Sequence, residues 1–172
     1  MLTDKAMRKR MRGWSSGLRD GTVCGVGSTM ANTAVIRGWL PKMVVKYKIK
    51  SVCDAGAGDL HWIRHVDWNV KYKPYDLIPR RDEVTKIDIT RKTMKKSDAI
   101  LCRMVLNHLD QERVEMALEN FRQTAKYLFA THFEEGPKTN FMWLDLPALL
   151  GEPLEMARDG NHDNGRLALW KL

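Results

Sequence analysis

Apolar positions along this chain fall into short, nearly continuous runs separated by polar stretches. Runs at 50–54, 72–76, 85–88, 99–103 and 127–132 have the length and residue types of strands. Between the last two, residues 110–126 place Val114, Ala117, Leu118 and Phe121 on one stripe and charge on the other, which predicts an amphipathic helix. Residues 59–65 read as a second helix. Ahead of the first strand, Ser28 reads as an N-cap, with Asn32, Ile36 and Leu40 following at helical spacing. Pro41 interrupts that pattern, so KMVVKYK is expected to form a separate helical piece. Strands alternating with helices predict a parallel α/β sheet covered on both faces. The end breaks the rhythm. Runs at 154–158 and 167–172 flank DGNHDNG, whose Asn164 and Gly165 signal a hairpin, so an antiparallel pair closes the sheet.

Composition narrows the class. At 172 residues with 44% apolar content and six Trp, the chain suits one globular domain and excludes a disordered one. No run approaches the ~20 apolar residues of a membrane span. Three Cys without metal-ligand spacing point to reduced thiols and a cytoplasmic location. The net charge of +8 is uneven: residues 1–50 carry 11 Lys/Arg and 2 Asp/Glu, and residues 51–172 carry 18 and 19. The expected organisation is a basic segment over 1–27, able to meet nucleic acid or another polyanion or simply to remain solvated, and a single domain over 28–172. His61 and His65 have a metal-like spacing but no third ligand, so no metal site is expected.

The chemistry concentrates in one loop. In KSVCDAGAGDLHWI a buried strand ends at Asp54 and enters a turn with Gly56 and Gly58. In a parallel sheet, ligands bind beyond the carboxyl ends of the strands. Glycines there admit close backbone approach or positive φ, and a following helix offers unpaired N–H groups. Asp76, at the tip of the next strand, is suited to ribose hydroxyls because a carboxylate accepts from both. A nicotinamide enzyme would use similar geometry. Yet His61 stands where the third glycine of its motif belongs, and a carboxylate at the loop entrance repels pyrophosphate. Both features favour a cationic ligand.

The ordered set VCDAGAGD, YDLI, KIDIT, AILCRMVLNHL and YLFATHF resembles the class I S-adenosylmethionine-dependent methyltransferases, and GSTMANTAVIRGWLP and LALWKL resemble a bacterial and phage subgroup. The resemblance implies a Rossmann-like, doubly wound sheet of seven strands in the order 3-2-1-4-5-7-6, mostly parallel with an antiparallel last strand. It implies S-adenosyl-L-methionine as cofactor. Asp54, Gly56, Gly58 and Asp59 would surround its amino-acid part, Asp76 and Leu77 the ribose, and Asp88 and Ile89 the adenine. Cys102 and Arg103 would line the cofactor and acceptor pocket, with Ser28 and Thr29 closing from the N-terminal side. His108 and His132 are the candidate bases, because both follow strands at the ligand edge. The 11 residues between Asp76 and Asp88 are too few for a full crossover helix and a strand. No nucleic-acid base motif of the family is present after the fourth strand, so a small-molecule or protein acceptor is favoured. The alternatives are a nucleic-acid methyltransferase using the basic N-terminus, or a non-catalytic nucleic-acid-binding module with the same fold.

Overall fold

A computed structural model describes residues 20–134, 144–160 and 164–172. All six Lys/Arg of the basic segment over 1–27 lie before residue 20, outside the described residues. Seven strands form one sheet: β1 (Ser51–Ala55), β2 (Lys71–Asp76), β3 (Thr85–Lys86), β4 (Ala99–Cys102), β5 (Tyr127–Phe133), β6 (Glu155–Arg158) and β7 (Gly165–Lys171), in the order β3-β2-β1-β4-β5-β7-β6. The first five are parallel, and β7 runs antiparallel between β5 and β6. This is the order and orientation expected.

Two helices sandwich the sheet: α1 (Ala34–Lys46) and α2 (Gln111–Thr124), with a short α3 (Leu146–Leu150) before β6. Alternation along the strands sorts their side chains between two cores. Val52, Leu101, Phe129 and Leu169 pack on the α1 side with Ile36, Leu40, Met43 and Val44. Cys53, Ile100, Leu128, Ala168 and Trp170 pack on the α2 side with Val114, Ala117, Leu118 and Phe121. Strands buried on both faces carry continuous rather than alternating apolar residues, which is why 99–103 was legible as a strand. Asp110 caps α2 by accepting from Arg113 N at 3.1 Å.

Three local expectations are corrected. Pro41 lies inside α1 and does not divide it. Ile36, Leu40 and Met43 bury one continuous stripe across the proline, and that burial, about 2 kcal/mol per large side chain, outweighs a missing helical bond. Ser28 is not an N-cap: it ends a 3-10 turn, Val26–Ser28, and the helix begins after Thr33. Residues 59–65 form no α-helix, only a 3-10 turn at Ile63–His65. Leu60 adopts φ 62° and turns its side chain into the core, at 4% exposure, so the helical path is broken at its start. The crossovers on either side of β3 also lack helices. Among the described residues no helix is long and apolar enough to cross a membrane, and no group of His, Cys, Asp or Glu could hold a metal ion.

Candidate functional site

β1 and β2 run side by side, so their ends bring Asp54 and Asp76 to the same rim. Asp54 alternates with Val52 towards the α1 side. Its carboxylate is 4% exposed and accepts from the Tyr72 hydroxyl. Burial, reinforced by the neighbouring charge of Asp76, pushes its pKa up to about 7, while the Tyr72 bond and Arg103 oppose the rise. Asp76 accepts from Gly58 N at 2.9 Å and Ile78 N at 2.8 Å, and burial raises its pKa too.

The sign of the Asp54 shift sets a pH dependence. A pKa raised on folding means stability is complete below the unfolded value near 4 and falls as pH rises towards 7, because the native state resists ionisation. Asp54→Asn is therefore expected to raise the unfolding free energy at pH 8 by about 2–4 kcal/mol. At pH 4 it should change it little. Urea titrations at the two pH values check this.

The glycine turn is held tightly. Gly56 N and Ala57 N both donate to Tyr75 O, at 2.8 and 3.0 Å. Gly56 has φ 99°, and a Cβ there would lie 2.2 Å from Val105 Cγ2. The turn after β4 thus sits directly on the turn after β1. Gly58 has φ 61° and faces Cys24 Sγ, which a Cβ would approach to 2.7 Å. Cys24 belongs to a strap, residues 20–29, laid across the rim. Burial pushes its thiol up to about 12, so it is no thiolate at neutral pH.

Asp59 fastens that strap. Its Oδ2 accepts from Thr22 Oγ1 at 2.8 Å and Val23 N at 2.7 Å, while Oδ1 accepts from His61 N at 3.1 Å. Both oxygens are therefore engaged within the chain. The expected boundary at 27/28 falls inside the strap. Thr29 donates to Val26 O at 2.9 Å within it. Arg103 ties it down a second time, donating to Gly27 O at 2.8 Å while its guanidinium forks onto Asp159 at 2.8–3.1 Å and lies over Trp62. Arg103 and Asp159 side chains are 7% and 1% exposed, so this is a buried ion pair at the end of β4.

The remaining candidates are dispersed. Asp88 caps its own turn by accepting from Thr90 N and Oγ1 at 3.0 and 2.7 Å, and Ile89 packs into the α2-side core. Leu77 follows Asp76 at the rim, half-buried. Cys102 is buried beside Asp54, which together with burial raises its pKa. His108 is half-buried in the 3-10 turn Leu106–His108. His132 stands on the α2 side with its ring edge-on to Trp170, and its buried Nδ1 has no partner. Burial lowers its pKa, so the imidazole is neutral at pH 7.

Sequence reasoning missed three residues here. Tyr72, four positions before the strand tip at Asp76, carries no motif. Asp159 lies 56 residues from Arg103, within a segment read as a turn. Asn107 is 4% exposed with both amide atoms unpartnered. It follows Val105, which touches Gly56, and its turn also contacts β5. A buried amide left without partners costs about 1–3 kcal/mol of stability.

No protein-family model matches the sequence, and no curated protein matches it. Solved structures do. The pyocyanin biosynthetic protein PhzM shares 12% identity over 94% of this chain and 61% of its own, with a TM-score of 0.68. Magnesium protoporphyrin IX methyltransferase from Synechocystis PCC 6803, solved with bound SAH, shares 13% identity over 98% and 94%, with a TM-score of 0.61. The mitomycin 7-O-methyltransferase MmcR shares 11% over 73% of this chain, with a TM-score of 0.59, and this chain covers 50% of MmcR's length. The chain has the class I methyltransferase fold. Within that fold its crossovers around β3 are reduced to loops and its glycine turn runs into a 3-10 turn.

Proposed function

We propose that this chain is an S-adenosylmethionine-dependent methyltransferase acting on a small polar acceptor. One observation carries the reading: two buried carboxylates, Asp54 and Asp76, meet at the rim beside a glycine turn held at positive φ, both raised in pKa by burial and Asp54 raised further by the charge of Asp76. Such a rim repels phosphate and is relieved by a cation. The residues present fit the cofactor. Asp54 would face its cationic amino-acid part and Asp76 its ribose hydroxyls, with Gly56 and Gly58 leaving room for both. Asp59, Leu77, Asp88 and Ile89, with Ser28 and Thr29 of the strap, would frame them.

Bound S-adenosylmethionine supplies a methyl group already activated for attack. The chain's own task is then alignment and exclusion of water. The Arg103–Asp159 pair and Trp62 wall the rim between β1 and β4, and Cys102 lies beneath it. Asn107 would hold the acceptor through a donor and an acceptor atom. His132 or His108 would receive a proton from a hydroxyl or amine. Of the two, His132 is the better base, being neutral with an unpartnered nitrogen. The fold's relatives with small-molecule names, MmcR and the magnesium protoporphyrin IX enzyme, support a small acceptor.

Calorimetry with S-adenosylmethionine and S-adenosylhomocysteine tests the proposal. Sub-millimolar binding is expected for the parent. For Asp54→Asn, affinity should fall at least about tenfold, equal to 1.4 kcal/mol. Equal affinity in the variant, or none in the parent, would overturn it.

A further inference from the structure

A cation-rich segment occupies the crossovers around β3, which carry no helix. Residues 80–96 contain seven Lys/Arg against three Asp/Glu, whereas the rest of the chain beyond residue 50 contains 11 against 16. Beyond residue 50 the net positive charge is therefore concentrated in this one short stretch.

The structure turns that stretch outward. It contributes only the two-residue edge strand β3, then runs towards β4 with neither helix nor strand. Val84 and Met94 are buried and hold it to the domain. Lys86, Lys92, Lys95 and Lys96 are exposed, and none makes an ion pair or side-chain hydrogen bond among the described residues. Four unpaired lysines within eleven residues of chain make a like-charged stretch, which a polyanion would neutralise.

The surroundings discriminate between partners. Protein interfaces concentrate their energy in apolar and aromatic anchors. None of the large exposed apolar side chains lies between residues 80 and 96. A flexible row of point charges without an anchor instead suits regularly spaced phosphates, which are held by charge alone. We propose that residues 80–96 form a docking surface for the phosphate backbone of a nucleic acid. The surface is independent of the methyl-transfer reading and stands if that reading fails.

Fluorescence anisotropy of the full chain with a labelled DNA duplex and a labelled RNA strand tests it. Neutralising Lys86, Lys92, Lys95 and Lys96 to Gln removes about four phosphate contacts. Between about 50 and 200 mM salt the parent should then lose about 100-fold more affinity than the variant. A charge-matched control, Lys42→Gln, Lys48→Gln, Lys50→Gln and Lys71→Gln, changes exposed lysines elsewhere and should retain the parental salt dependence. Thermal unfolding by circular dichroism verifies that each variant is folded. Should the quadruple variant not fold, Lys95→Gln with Lys96→Gln is expected to remove about half the difference. Loss of salt dependence equal in both quadruple variants, or no difference from the parent, overturns the proposal. So does displacement of the oligonucleotide by polyglutamate at equal charge, which would make the surface a site for acidic protein.

Discussion

Replacing Asp159 by alanine is expected to lower the unfolding free energy by about 3–5 kcal/mol, with a fall in Tm of roughly 10 °C. The reason is the state in which Arg103 is left. Its side chain is 7% exposed, and among the described residues Asp159 is the only carboxylate forked onto it. Without Asp159, a guanidinium that cannot lose its proton stays buried beside Trp62, and among the described residues the Gly27 carbonyl is its remaining strong acceptor. The effect should spread beyond the pair. Asp159 also accepts from Thr131 Oγ1 at 3.4 Å, and Thr131 in turn accepts from Met104 N at 2.8 Å, so the bend after β4 loses its support. The double variant Arg103→Met with Asp159→Leu should be more stable than Asp159→Ala, because it leaves no orphaned charge. Chemical denaturation of parent, single and double variants measures this. A cost below about 1 kcal/mol for Asp159→Ala would show that the pair is not buried as described.

Gly56→Ala is the second large effect expected, at about 2–5 kcal/mol of stability together with loss of cofactor affinity. Two separable penalties add. A φ of 99° is a region that L residues rarely adopt, and the new methyl would lie 2.2 Å from Val105 Cγ2. Val105→Ala in the same chain removes the overlap and leaves the backbone strain, so it should recover only part of the loss. A double-mutant cycle in urea separates the two contributions. Full recovery would assign everything to the contact. A Gly56→Ala variant within about 0.5 kcal/mol of the parent would contradict the described turn.

The same residues show how far the chain could be read without coordinates. The central strands were legible because burial on both faces leaves an unbroken apolar run, as in the Ala, Ile, Leu and Cys of β4. The amphipathic stripe marked α2, and Asn164 with Gly165 marked the return into β7. Each of these signals is local, spanning a few residues and one period. Pro41 and Leu60 were misread because their local preferences were overridden: the core on the α1 side keeps the helix through the proline and draws Leu60 inward at φ 62°.

What the amino-acid sequence determined by itself is the order of the strands along the chain, the helix α2 and the presence of a carboxylate beside a bare turn, since periodicity and glycine spacing express themselves within a dozen residues. Only the tertiary structure decided which side chains meet at that rim. Arg103 with Asp159, Asp59 with Thr22 and Val105 with Gly56 are 56, 37 and 49 positions apart. Such pairs are selected by sheet topology and by the need to satisfy buried charge, and neither leaves a trace in the local pattern.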